Sequence, residues 1–93
     1  MEFDLLLGDV HSLKQKRSAI RPVIAELQRR FAVSAAETGS QDLYRRAAVG
    51  LAVVSADHGH VVDVLDAAER LVASRPEMEL LSARRGLRRS TDV

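Results

Sequence analysis

The chain has 93 residues, of which 46% are hydrophobic, with 14 Lys and Arg against 13 Asp and Glu and no Cys. This length suits one domain and is too short for two. The lack of Cys excludes disulfides, thiolate zinc sites and cysteine nucleophiles, and it fits a reducing compartment. The first residues lack the basic region of a signal peptide, and the longest apolar run is far below the roughly 20 residues of a membrane span. We therefore expect a soluble cytoplasmic protein with no membrane association.

Charge is distributed unevenly along the chain, although the net charge is only +1. Residues 11–30 carry six cations and one carboxylate, whereas residues 56–79 carry six carboxylates and two arginines. Four further arginines lie in the last ten residues. Segments of opposite charge can form opposed faces or complementary partner surfaces, so a near-neutral total does not exclude an anionic partner.

The apolar pattern predicts a strand and then a helix at the start of the chain. Residues 2–7 are short, apolar-rich and largely alternating, as in a strand with one buried face. Apolar residues then recur at helical spacing through residues 13–31, with Ser12 as a plausible N-cap. Pro22 lacks an amide donor, so we expect a kink there or a helix that begins near Ser18.

The remaining pattern predicts three more strands and a second helix. The third strand is apolar at both alternating positions, as in the centre of a sheet, and an Arg-Pro pair ends the second helix. In chain order we expect a strand at 32–37, a turn at 38–42, a strand at 47–55, a turn at 57–59, a helix at 61–74 and a strand at 79–85. An Arg-rich tail at 86–93 is expected to be unfolded.

The order βαββαβ is typical of the ferredoxin-like α+β sandwich, in which two helices cover one face of a four-stranded antiparallel sheet. We expect a single domain over residues 1–85, with the first and third strands at the centre of the sheet. The uncovered sheet face and the edge strand at 32–37 both favour pairing with another chain. The expected oligomer is a homodimer.

Three segments resemble a known family: HSLKQKR at 11–17, RFAVSAAE at 30–37 and QDLYRRA at 41–47. They are similar to the YlxP-like family of small bacterial domains of unknown function, with the pattern HSLKxKR, RFNVSVAE and DxWxRA. Tyr44 keeps the aromatic of the third motif, while Ala32 and Ala35 stand where the family commonly carries Asn and Val. The resemblance implies a ferredoxin-like fold and no established activity. It also implies a connection to RNA or the ribosome, because genes of the family often lie among those for transcription elongation, translation initiation and ribosome maturation.

The basic start of the first helix is the main candidate site. Lysines and arginines there could contact phosphates, with hydroxyl and amide donors of the first turn beside them. The alternative is a capped helix with a solvated cationic face. The candidate nucleic-acid-binding residues are Ser12, Lys14, Lys16, Arg17, Arg21, Arg45 and Arg46. The expected partner is structured RNA or a ribosomal subunit, bound by shape and phosphate contact, because the third strand lacks the aromatic pairs that stack single-stranded bases.

Other functions are predicted less well by the sequence. A rival hypothesis is a protein-interaction module that uses the acidic helix, residues 57–69, or the uncovered sheet face, and a third is a small-ligand sensor. No catalytic triad or glycine-rich phosphate loop is present, so we expect no catalytic residue and no cofactor. His58 and His60 are metal-ligand types without a third ligand placed by spacing, so no metal is expected.

The predicted hairpin between the second and third strands carries two carboxylates, Glu37 and Asp42. We expect them to stabilise the hairpin by pairing with Arg45 or Arg46. If they instead line a site with one of the lysines of the first helix, the ligand would be a polar small molecule.

Overall fold

A computed structural model describes residues 1–88 of the chain. The elements are β1 (Glu2–Leu7), α1 (Leu13–Phe31), β2 (Ser34–Gly39), β3 (Arg46–Ala52), α2 (His58–Ala73) and β4 (Met78–Arg84). This order confirms the predicted ferredoxin-like α+β fold. Residues 89–93 of the predicted tail lie outside the described residues. Among residues 1–88, no helix combines the length and the apolar character needed to cross a membrane.

The four strands form one antiparallel sheet in the order β2-β3-β1-β4. β1 and β3 lie at its centre, as predicted, with Leu5 opposite Ala47. β4 pairs with the other side of β1, with Met78 opposite Leu7. β2 and β4 are therefore the two edges of the sheet.

The core lies between the sheet and the two helices. Alternate side chains of β1 and β3 are buried on one face, because successive residues of a strand point to opposite sides. Burial of each large aliphatic side chain stabilises the fold by about 1.5–3 kcal/mol. The core residues of the central strands and of α1 are Phe3, Leu5, Leu7, Ala47, Val49, Leu51, Ile20, Val23 and Leu27. α2 contributes Val64, Leu65, Ala68, Leu71 and Val72 to the same core.

α1 begins at Leu13 and continues past Pro22 without interruption. Ser12 is the N-cap, as predicted, and its Oγ accepts a 3.1 Å hydrogen bond from the backbone N of Gln15. The expected late start near Ser18 is wrong. Pro22 lies on the exposed side of the helix, so burial of the opposite side on the core offsets the missing amide hydrogen bond.

Several other boundaries differ from the predicted ones. β2 continues through Gly39, so the predicted turn at 38–42 starts too early. β3 ends at Ala52 instead of continuing to residue 55. α2 begins at His58, because the carboxylate of Asp57 accepts hydrogen bonds from the backbone N atoms of its first turn and caps the helix. The predicted turn at 57–59 is therefore the helix start.

The sheet face away from the helices is polar. Glu2 and Asp4 of β1 both form ion pairs with Arg84 of β4, which lies directly opposite Glu2. Ser82 Oγ donates a 2.7 Å hydrogen bond to Asp4, and Thr38 Oγ1 donates one of 2.7 Å to Glu2. These hydrogen bonds and the Arg84 charge hold the pKa values of both carboxyls below their usual range. These charged and hydroxyl side chains of the face are therefore paired with one another.

Candidate nucleic-acid interface

Three exposed cations lie on one face of α1. Lys14, Arg17 and Arg21 are three and four residues apart, and at about 100° per residue they occupy one sector of the helix. We call these three residues the α1 basic face. Within residues 1–88, none of them forms an ion pair with a carboxylate. Their positive charge is therefore free to act on a ligand in solvent.

Several cations elsewhere in the described chain are neutralised by carboxylates. Arg30 lies 3.3 Å from Glu26, and Arg85 lies 2.8 Å from an oxygen of Asp66. The first turn of α1 has no acidic side chain, although carboxylates are the favoured charge at a helix N-terminus. Among the described residues, the cations of the α1 basic face thus have no ion-pair partner to stabilise them.

Lys16 is buried, contrary to its predicted role at the surface. Lys16 is only 1% exposed, because it lies on the same side of α1 as the core residues. Its Nζ lies 2.8 Å from Glu37 Oε2 and donates a 2.5 Å hydrogen bond to the carbonyl of Ser40. The predicted phosphate contact of Lys16 is therefore wrong. The predicted pairing of Glu37 with an arginine of the hairpin is also wrong.

The α1 basic face is on the side of the helix that lies next to β2. Gln28 Nε2 donates a 3.1 Å hydrogen bond to the backbone carbonyl of Ala35 in β2. Gln28, Arg21 and Lys14 are each seven residues apart, so they form one stripe along α1. β2 ends close to Lys16, which contacts Ser40 just beyond the strand. The loop at 40–45, which we call the hairpin loop, therefore lies beside the N-terminal half of α1.

The two arginines at the end of the hairpin loop point in different directions. Arg45 Nε donates hydrogen bonds of 3.1 Å to the carbonyls of both Leu7 and Gly8, in the connection that leads from β1 into α1. Arg46 lies on the polar sheet face, where its charge contributes to the lowered pKa of Asp4. The structure thus brings Arg45 to the same end of the molecule as Ser12 and the α1 basic face, and it places Arg46 away from them.

Exposed apolar side chains accompany these cations. Leu43 and Tyr44 in the hairpin loop are 53% and 49% exposed, and Leu13 in the first turn of α1 is 38% exposed. The sequence analysis did not assign Tyr44 to the site. A signal was present, since Phe3 and Phe31 lie within the apolar patterns of the predicted first strand and first helix whereas Tyr44 lies outside both, and the structure buries Phe3 fully and Phe31 in part.

Comparison with known proteins matches residues 1–85 to the family described as protein of unknown function (DUF503). The chain belongs to this family. The match spans all six elements of the fold, so the α1 basic face and the hairpin loop both lie within it. The chain is also 32% identical over 78 residues to the uncharacterized protein YlxP of Bacillus subtilis (strain 168), covering 84% of this chain and 85% of that protein. The resemblance seen in the sequence motifs is thereby confirmed.

Part of the acidic segment of this DUF503 domain is engaged by other residues. Asp66 and Glu69 both contact Arg85, which comes directly after β4, at 2.8 and 3.2 Å. These carboxylates raise the pKa of Arg85. Asp57 is used as the cap of α2, and His58 follows it in the first turn. Within residues 1–88, no three His, Cys, Asp or Glu side chains come together as metal ligands.

A groove of about 690 Å³ crosses the polar face of the DUF503 sheet. Its lining includes Ala36 and Gly50, together with Glu2 and Arg84. These charged groups hydrogen-bond to one another, and Thr38 satisfies a further oxygen of Glu2. The groove therefore offers a ligand fewer free polar groups than the α1 basic face does.

Proposed function

We propose that this DUF503 protein is a non-enzymatic accessory factor that binds structured RNA or a ribosomal particle. The α1 basic face, supported by Arg45, would be the contact surface. The observation that carries the proposal is the placement of three exposed cations on one helical face without a neutralising carboxylate in residues 1–88. Such a surface attracts a phosphate backbone, and binding releases the counterions that are condensed on the nucleic acid.

The geometry favours contact with phosphates over reading of base sequence. Lys14 and Arg21 are seven residues apart, which is roughly 10 Å along a helix axis. Cations fixed at this spacing on a rigid helix can contact neighbouring phosphates of one strand. Recognition of double-stranded RNA depends mainly on its shape and on phosphate and 2′-hydroxyl contacts. The proposed ligand is therefore an RNA with helical segments.

The rival hypothesis, a protein-interaction module that docks a partner on the acidic helix, has less support. Asp66 and Glu69 already contact Arg85, so docking of a basic partner there would have to break those contacts. The homodimer stays a prediction, and the β2 edge is the place where a second copy could pair. Sedimentation equilibrium across a range of protein concentrations tests it directly.

The test of the proposed function is RNA binding measured at several salt concentrations. The triple variant K14E/R17E/R21E removes the α1 basic face, and R29E/R70E/R88E changes the net charge equally at exposed positions elsewhere. We expect K14E/R17E/R21E to lose RNA binding. A variant with neutral residues at the same three positions should still bind weakly, and the magnitude of its slope of log K against log salt should be smaller by about three. The control variant should retain most of the affinity. Equal loss in the two variants, or binding that does not depend on salt, would contradict the proposal.

A further inference from the structure

Half of the exposed large hydrophobic residues in the described chain are at one end of the molecule. Six such residues occur among residues 1–88, and three of them are Leu13, Leu43 and Tyr44. Isolated apolar side chains on a surface need no explanation, whereas a cluster marks a contact site. These three residues lie in the first turn of α1 and in the hairpin loop, which Lys16 joins through its hydrogen bond to Ser40, so they are at the same end of the molecule as the α1 basic face.

The hairpin loop is held in place before any ligand binds. The backbone N of Leu43 donates a 3.1 Å hydrogen bond to the carbonyl of Ser40, which also accepts one from Lys16. On the other side of Tyr44, Arg45 Nε donates to Leu7 and Gly8, and the carbonyl of Arg45 accepts a 2.7 Å hydrogen bond from the backbone N of Leu7. A preorganised loop loses less conformational entropy on binding than a mobile one. The exposed ring of Tyr44 is thus attached to a fixed segment.

An exposed aromatic ring in a loop next to a basic helical face matches the chemistry of a nucleobase attached to phosphates. A base stacks on the face of a tyrosine ring, while neighbouring cations bind the backbone. A continuous RNA helix keeps the faces of its bases stacked inside and would leave the ring of Tyr44 without a partner. An unpaired nucleotide next to a helical segment supplies both a free base and closely spaced phosphates.

We infer that Tyr44 is a stacking site for an unpaired base, and that the preferred RNA has a bulged or flanking unpaired nucleotide beside a helix. Leu13 and Leu43 would pack against the sugar and the edge of that base. The α1 basic face binds phosphates of the adjoining helical segment. This inference rests on the proposed function and narrows its class of ligand.

The fluorescence of the protein itself reports on this site. Tyr44 is the single tyrosine, and the chain has no tryptophan. Two RNA duplexes would be compared, one fully paired and one identical except for a single bulged 2-aminopurine. We expect the bulged duplex to bind about tenfold more tightly, the usual order for one stacked base. Quenching of both the tyrosine and the 2-aminopurine emission should accompany binding of the bulged duplex only.

Variants at Tyr44 separate the stacking role from a structural one. Tyr44→Ala should bind both duplexes with the same affinity, and Tyr44→Phe should retain the tenfold preference because its ring can still stack. Leu81→Ala removes an exposed hydrophobic residue on β4 and should leave the preference unchanged. The unfolding curve of each variant shows that it is folded.

The possible outcomes distinguish this inference from the proposed function. If Tyr44→Ala keeps the preference for the bulge, or if the wild-type protein binds both duplexes equally, stacking at Tyr44 is wrong while phosphate binding stands. If Tyr44→Ala leaves RNA binding unchanged and instead abolishes a complex with a protein partner, the apolar cluster is a protein-docking surface and the inference is overturned. If neither duplex binds in a salt-dependent manner, both proposals fail together.

Discussion

Lys16 shows how a charged residue can be part of a hydrophobic core. Its methylene stem lies on the buried side of α1, and its ammonium group reaches Glu37 on β2 and the carbonyl of Ser40. Two charges removed from water are stable only when each has a close partner. The pair therefore holds α1 against the edge strand and fixes the start of the hairpin loop.

A double-mutant cycle tests this role of the Lys16 and Glu37 pair. Glu37→Leu leaves a buried ammonium group without its carboxylate, and we expect a loss of about 3 kcal/mol in the free energy of unfolding. The double variant K16M/E37L replaces both charges with apolar side chains and should lose less than Glu37→Leu alone. Urea denaturation of each variant measures its free energy of unfolding. Asp42→Asn changes an exposed carboxylate and is the control, for which we expect only a small effect. A loss in the double variant equal to the sum of the losses in Lys16→Met and Glu37→Leu would contradict a coupled pair.

Residue roles were only partly predictable from the sequence. The cap at Ser12 was predicted correctly, because a serine before an amphipathic stripe has one common structural role. The sequence prediction groups Lys16 with its basic neighbours, although it stands four residues before Ile20 and seven before Val23, on the apolar stripe. A stricter reading of helical spacing would have separated it from Lys14. Which carboxylate pairs with it depends on β2, and no local pattern reveals that contact.

At the scale of elements, α1 carries an internal proline that costs stability. Pro22 has no amide hydrogen and leaves the carbonyl of Ser18 without its intrahelical donor. Pro22→Ala restores that hydrogen bond on an exposed side of the helix, so we expect a gain of about 1–3 kcal/mol in the free energy of unfolding. Thermal and urea unfolding measure the change. A variant that is no more stable than the wild type would show that the helix already accommodates the proline.

The polar sheet face is expected to make stability depend on pH. The pKa values of Glu2 and Asp4 are lowered in the folded protein by Thr38, Ser82 and Arg84. The contribution of these two carboxylates to the free energy of unfolding is therefore fully present above their pKa of about 4 in the unfolded chain. It is lost as the pH falls through their lowered pKa values in the folded protein. At neutral pH the variant E2Q/D4N should be less stable than the wild type.

The difference in stability between E2Q/D4N and the wild type should shrink steadily as the pH is lowered below about 4. Unfolding curves taken at a series of pH values give this difference. D63N/E77Q removes two exposed carboxylates that form no ion pair within residues 1–88, and it serves as the control. A constant difference across all pH values would contradict a contribution from the ionised carboxylates.

The type and order of all six elements could be predicted, whereas several boundaries could not. Periods of two and of about 3.6 residues in the apolar pattern distinguish strands from helices. The predicted β2 begins and ends two residues early, because its alanines carry little of the strand pattern. The start of α2 was missed because its first turn is polar, and the cap from Asp57 defines the beginning of the helix there.

At the scale of the whole molecule, the balance of charge is decided by contacts between distant segments. The sequence shows a basic stretch and an acidic stretch. In the fold, Arg85 neutralises carboxylates of α2, and Arg84 neutralises carboxylates of β1. The cations of the α1 basic face retain no such partner in residues 1–88. The sequence could indicate a basic site on α1, but only the fold shows which of its cations keep no carboxylate partner.

The most direct test of the central claim is sedimentation of the tagged protein with ribosomal particles from the lysate of its own cell, at low and at high salt. We expect the wild type to migrate with one ribosomal subunit or precursor at low salt and to dissociate at high salt. K14E/R17E/R21E should remain at the top of the gradient while folded, and R29E/R70E/R88E should migrate with the particle. If the wild-type protein stays at the top at every salt concentration, or if K14E/R17E/R21E still migrates with the particle, binding through the α1 basic face is contradicted.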